Sequence, residues 1–262
     1  MKTRFPIILV HGLAMRDTFF MKSWGRIDQM LIDRGYTVYK SGADAFGSVK
    51  TNAAQLKDEI TTVLKENGTD KVNIIAHSKG ELDAKYMIRE LGMAPHVASL
   101  TTLCTPHHGS PIASFILRFP KFAVKYTAFW VDTVYRILGD KQPDSFTTCE
   151  ELKRIDSLET ETLNLGDGIL CQSFSAAFRP KEKKADFVMA IPYAFSRFME
   201  KDRVTDGLVP RESAIFGQYR GDCLDDSVSH TEIVDFMVRC KKREKIYAFY
   251  SALCEELSRA GL

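Results

Sequence analysis

The stretch Ala76-His77-Ser78-Lys79-Gly80-Glu81 holds a serine with a small residue two positions before it and a glycine two after it. That spacing suits a nucleophile elbow, a sharp strand-to-helix turn on which the two backbones approach closely and the flanking side chains must be small. A serine hydroxyl is a poor nucleophile until a histidine accepts its proton and a carboxylate orients that histidine. Behind an elbow the partners follow in the order serine, acid, histidine. His11, His77, His96, His107 and His108 all precede any carboxylate that could serve, which leaves His230 in SVSHTEIVDF as the base. For the acid, Asp206 in TDGLVP is preferred because it enters a glycine turn flanked by Val204, Leu208 and Val209. Asp202, Asp222, Asp225 and Asp226 are rivals.

Acyl chemistry on a serine also needs donors for a developing oxyanion. The loop His11-Gly12-Leu13 follows an apolar run and can aim the Leu13 N–H into the site, and the N–H of Lys79 opens the helix after Ser78. The charged neighbours Lys79 and Glu81 are expected to point away from the nucleophile and to screen each other. His107 and His108 are adjacent on an extended segment, so their side chains diverge. No carboxylate or cysteine sits at a fixed ligand spacing from them, and no catalytic metal is expected.

The elements that must position these groups alternate. Pro6–Val10, Tyr36–Tyr39, Val72–Ala76, Val97–Leu103 and Ile169–Phe174 read as strands; Lys22–Arg34, 51–66 and Leu82–Leu91 read as helices. Asn67-Gly68 supplies a left-handed cap to the second helix. A last helix carries Ile246, Phe249, Tyr250, Leu253 and Leu257 on one stripe. This order predicts an α/β fold with a mostly parallel sheet and helices on both faces. The segment 112–139 breaks the pattern with seven aromatics interleaved with charges around Pro120. It reads either as two core helices or as an amphipathic cap over an apolar pocket whose exposed face touches a lipid surface.

The bulk numbers narrow the classes. Lys and Arg total 36 against 34 Asp and Glu, which gives no broad drive toward nucleic acid. Six dispersed cysteines without a C-x-x-C pair suit buried thiols. No apolar run approaches a membrane span, and the opening residues lack a signal-peptide pattern, so a reduced cytoplasm is expected.

ILVHGL, AHSKGELDAKYM, TTLCTPHHGSP, TDGLVP and SHTEIVDF together resemble the α/β-hydrolase bacterial triacylglycerol lipases, as does SLETETLN. The resemblance implies a single α/β-hydrolase domain over 1–262 with 110–150 as a helical lid. It implies Ser78 as nucleophile, Asp206 and His230 as its partners, and Leu13 and Lys79 as oxyanion donors. His11, Gly12, His77, Phe115 and Phe119 would contact the substrate, an acyl ester or lipid. No cofactor is implied, although many such lipases hold a structural calcium two residues after the catalytic histidine. Glu232 occupies that position here, with Asp186 as an upstream candidate. Departures include Lys79 where many members have Gln or Met, Glu81 in place of Gly, and Lys85 in place of Arg. A thioesterase or acyltransferase would share the triad, and a non-catalytic lipid-binding protein would share the pocket.

Overall fold

The computed structural model describes residues 2–19, 21–153, 165, 168–179, 187–199 and 204–262. The chain runs β1 (Ile7–Val10), α1 (Ile27–Asp33), β2 (Val38–Lys40), α2 (Val49–Asn67), β3 (Val72–His77), α3 (Lys79–Glu90) and β4 (Val97–Leu103). Three helices follow, α4 (Pro111–Ile116), α5 (Lys121–Leu138) and α6 (Ser145–Glu151). Then come β5 (Leu170–Ser175), α7 (Phe187–Met199), β6 (Gln218–Asp222) and α8 (Cys240–Arg259). The six strands form one sheet in the order β2-β1-β3-β4-β5-β6, and every pair is parallel.

β1, β3 and β4 are buried along their whole length, as strands covered on both faces must be. Alternate residues serve opposite layers. Ile7, Leu9 and Ile75 pack with Trp24, Ile27 and Leu31 and, from α8, Ile246, Tyr250 and Leu253. Ile8, Val10, Ile74 and Ala76 pack with Leu56 and Ile60 of α2 and Ala84, Met87 and Ile88 of α3. α2 starts on Ser48, whose hydroxyl accepts the Thr51 N–H, and stops at Gly68 in left-handed conformation.

Two departures from the sequence reading have local causes. The first helix begins at Ile27 rather than Lys22, because Gly25 takes φ +51 with its Cα against Asp235, where a Cβ would lie 2.6 Å from that side chain. β6 and α7 were not anticipated: β6 is a short edge strand with mixed exposure, and α7 lies in a stretch where the motifs thin out. SLETETLN, Asp186 and Asp202 lie outside the described residues.

Candidate active site

The site lies at the carboxyl ends of the strands, where an open parallel sheet presents its loops. Ser78 follows β3 directly and has φ 53, ψ −129, a strained conformation for a residue with a side chain. Its N–H donates to Leu103 O at 2.9 Å, tying the turn to β4. The small neighbours are enforced by backbone: a Cβ on Gly80 would stand 2.4 Å from His11 O and 2.7 Å from Val10 O. A Cβ on Gly12 would meet the Ser78 Cβ at 2.7 Å.

His230 Nε2 lies 3.0 Å from Ser78 Oγ, and His230 Nδ1 lies 2.7 Å from Asp206 Oδ2. The carboxylate acceptor defines the tautomer: Nδ1–H donates to Asp206, and Nε2 is left to accept the serine proton. Asp206 is itself held. Its Oδ1 accepts the N–H groups of Leu208 and Val209 at 2.9 and 2.7 Å, and its backbone carbonyl accepts the His230 N–H at 2.9 Å. Thr205 and Pro210 bridge to close the loop around it. All three side chains are buried. Of the rival acids among the described residues, Asp222 pairs with Arg211 and Asp226 with Lys245.

Leu13, His77, Ser78 and His230 border one cavity of about 840 Å³, whose lining is overwhelmingly apolar. Phe119 borders it as well, together with Ile112, Val124 and Val131 from α4 and α5. The Lys79 N–H opens α3 and so has no carbonyl four residues back to bond.

Several expected contacts fall elsewhere. His11 does not border the cavity: its Nε2 lies 3.0 Å from Ala43 O, which turns the ring into the protein. Gly12 abuts the nucleophile instead of the cavity. Phe115 packs against Phe119 and Phe195, at 5.4 and 4.6 Å between ring centres, and stands behind the lining. His77 Nε2 lies 2.9 Å from His230 O, and burial, with the nearby His230, holds its pKa well below the usual histidine range. A neutral His77 thus buttresses the base without adding charge beside it.

Lys79 and Glu81 do not screen each other. The Lys79 ammonium is buried and donates to Asp83 Oδ1 at 2.6 Å, one helical turn on. Asp83 Oδ2 accepts from Asn52 Nδ2, whose other hydrogen bond reaches Asp44 O. The i,i+4 spacing of Lys79 and Asp83 was a readable signal for this pair. Glu81 is fully buried and approaches His107 Nδ1 at 3.3 Å without hydrogen-bond alignment. Burial pushes its carboxyl up to about 7. His107 is held well below its usual value by burial and by Lys85, and its ring stacks on Phe216. Neither group borders the cavity.

Cys104, Asp206 and His230 offer ligand atoms within 4.8 Å of one another. Hydrogen bonding with Cys223 and burial push the Cys104 thiol well above its ordinary pKa. The other two groups are committed to each other and, through His230 Nε2, to Ser78. The calcium position fits no better. Both Glu232 carboxylate oxygens accept from Lys242 Nζ at 2.8 Å, and Oε2 also accepts the Ser229 N–H. An ammonium already neutralises the carboxylate that calcium would need.

A model of one protein family matches residues 6–140, from β1 through the end of α5. The chain belongs to this family, described as "Putative serine esterase (DUF676)". Over 120 residues, 44% of the chain, it is 40% identical to triacylglycerol lipases of Pseudarthrobacter phenanthrenivorans and Burkholderia plantarii. Those matches span 37% and 33% of the relatives' own length. Triacylglycerol lipase 2 of Saccharomyces cerevisiae is 24% identical over 258 residues, covering 91% of this chain and 74% of the relative. Among solved structures, the Staphylococcus hyicus lipase superposes with a TM-score of 0.70 at 15% identity, covering 98% of this chain and 97% of that one. The metagenomic carboxyl esterase MGS0156 gives 0.74 at 17%, covering 98% and 76%. These likenesses and the parallel sheet make the fold that of an α/β-hydrolase.

Proposed function

We propose that this family member is a serine carboxylic-ester hydrolase of lipase or esterase type, acting through Ser78. The observation that carries the reading is the continuous relay from Asp206 through His230 to Ser78 Oγ, at 2.7 and 3.0 Å, opening on an apolar cavity. In this mechanism Ser78 Oγ attacks the acyl carbonyl while His230 Nε2 takes its proton, and Asp206 stabilises the imidazolium. The N–H groups of Leu13 and Lys79 hold the oxyanion, with the N-terminus of α3 adding its dipole. His230 then protonates the leaving alcohol. Water, deprotonated by the same nitrogen, cleaves the acyl-enzyme and restores Ser78. Every step is proton transfer and acyl transfer among the chain's own groups, and lipase-type hydrolysis in general requires no cofactor.

The cavity lining supports a lipid or other apolar acyl ester as substrate. We assign residues 110–150 as the lid. α5 turns Ala123, Val124, Thr127, Ala128 and Val131 toward the cavity, while Phe122, Tyr126, Phe129, Trp130 and Ile137 are exposed on its other side. Lys121, Lys125 and Arg136 flank that outer face, a combination suited to transient contact with a lipid surface. Among the described residues no helix is long and apolar enough to cross a membrane. The cysteines there are free thiols, which supports a reducing, cytoplasmic setting.

The test is a fluorophosphonate probe followed by mass spectrometry of the modified peptide, alongside hydrolysis of short p-nitrophenyl esters. The wild type is expected to carry the adduct on Ser78 and to turn over. Ser78→Ala is expected to lose both while keeping its circular-dichroism spectrum. Persisting hydrolysis in the purified Ser78→Ala protein would remove Ser78 from the mechanism.

A further inference from the structure

Three segments meet beside the Leu13 N–H: the loop after β1, the loop after β2, and the end of α5 with the residues that follow it. At their junction Ala14 holds left-handed backbone, φ 61, which a residue with a side chain adopts only when its surroundings require it. Both of its peptide groups are restrained. The Ala14 N–H donates to Ala45 O at 3.1 Å, and the Ala14 carbonyl accepts from the Tyr135 hydroxyl at 3.2 Å. Tyr135 comes from α5 and sets its ring edge-on to Phe46, 4.4 Å between centres.

A second restraint lies two residues further along the same loop. Asp140, just past α5, accepts the N–H groups of Ala45 and Phe46, each at 3.0 Å. Asp44 answers by accepting the N–H groups of Lys141 and Gln142, at 2.9 and 2.6 Å. Each carboxylate thus clasps the other's loop, and both side chains are buried. Two buried anions so placed repel unless a cation neutralises them. Arg16 supplies that charge from the loop that carries Leu13, with Nη1 at 2.8 Å from Asp140 and 3.5 Å from Asp44.

We infer that Tyr135 and Arg16 are positioning residues for the oxyanion hole, so that the helical insertion which roofs the cavity also aims the Leu13 N–H. The donor loop is not rigid by its own sequence: Gly12 precedes Leu13, and Ala14 would relax toward right-handed backbone if released. Tyr135 and the Arg16–Asp140–Asp44 clasp hold it where Gly12 abuts Ser78 and Leu13 borders the cavity. Displacement of the end of α5 would therefore disorganise the oxyanion hole as well as uncover the cavity.

This inference rests on the proposed hydrolase reading, and the experiment separates the two. Tyr135→Phe removes one hydroxyl and keeps the ring that packs on Phe46. It is expected to lower kcat for a soluble short-chain p-nitrophenyl ester by about 5- to 20-fold with KM within two-fold of wild type. Affinity for a trifluoromethyl ketone, whose serine adduct carries the oxyanion, should fall by the same factor. Tyr39→Phe, which removes a hydroxyl that accepts from Asn67 at the end of α2, is the control and should match wild type in all three. Arg16→Gln should show the same pattern, with Arg16→Lys recovering part of the loss; this pair carries the test if Tyr135→Phe fails to fold. A change confined to KM, or a kcat loss with ketone affinity intact, would overturn the positioning role. Wild-type protein that neither turns over nor takes the fluorophosphonate would instead overturn the hydrolase reading.

Discussion

Glu81→Gln should stabilise the protein increasingly as pH rises from 5 to 8, and the size of the effect follows from the burial of this carboxyl. Glu81 is fully buried in the first turn of α3, three residues after the nucleophile, and its carboxyl is pushed up to about 7 from an ordinary 4.5. Desolvation is the main cause; Lys85 opposes the shift and Asp83 adds to it. The folded state therefore binds this proton more tightly than the unfolded chain does. Its contribution to stability is fully present below pH 4.5 and is lost progressively up to pH 7, beyond which the folded state carries the whole cost of a buried anion. A shift of that size corresponds to about 3 kcal/mol, of which about 2–3 kcal/mol falls between pH 5 and pH 8. Glutamine keeps the shape and does not titrate. Urea unfolding of both proteins, followed by circular dichroism at pH 5 and pH 8, isolates this group, since other titrations largely cancel in the difference. The advantage of Glu81→Gln over wild type should grow by about 2–3 kcal/mol from pH 5 to pH 8, or roughly 4–6 °C in Tm. A difference that stays constant within about 0.5 kcal/mol would show that Glu81 titrates normally and that the reasoning from burial is wrong.

Two further outcomes follow from the geometry of the site. Asp206→Asn should reduce kcat by about 10⁴-fold with little change in fold. The asparagine oxygen would keep the Leu208 and Val209 N–H groups, so its NH₂ would face His230 Nδ1 and select the tautomer that cannot take the serine proton. Steady-state kinetics measures this, and a loss below ten-fold would deny Asp206 its orienting role. Gly80→Ala should destabilise by about 1–3 kcal/mol and lower activity, because the new methyl meets backbone carbonyls at the end of β1 instead of a yielding side chain. Urea unfolding indistinguishable from wild type would mean the elbow is less tightly packed than described.

Much of this protein was readable from its residues in order. Buried strands announced themselves at Pro6–Val10, Val72–Ala76 and Val97–Leu103, within a residue of their bounds in the fold, and helix α2 by its stripe and its glycine cap. Ser78 and His230 could be named because an elbow has a local steric signature and because catalytic order left one histidine. β6 escaped because an edge strand with mixed exposure carries no apolar pattern, and the start of α1 because Gly25 answers to Asp235, 210 positions away in the chain.

Charge partners were the least legible. Asp206 competed with other aspartates until its carboxylate was seen to accept two backbone N–H groups and the His230 ring. Lys79 and Glu81, near the nucleophile and opposite in sign, invited a mutual pairing, yet Lys79 is drawn to Asp83 and Glu81 is buried beside His107 without a hydrogen bond to it. Local periodicity determines which face of a helix or strand is apolar, and so determined the sheet and its layers. Electrostatic partnership depends on which distant segments share a low-dielectric interior. For Glu81, for Glu232 with Lys242, and for Arg16 between Asp44 and Asp140, only the folded chain decided it.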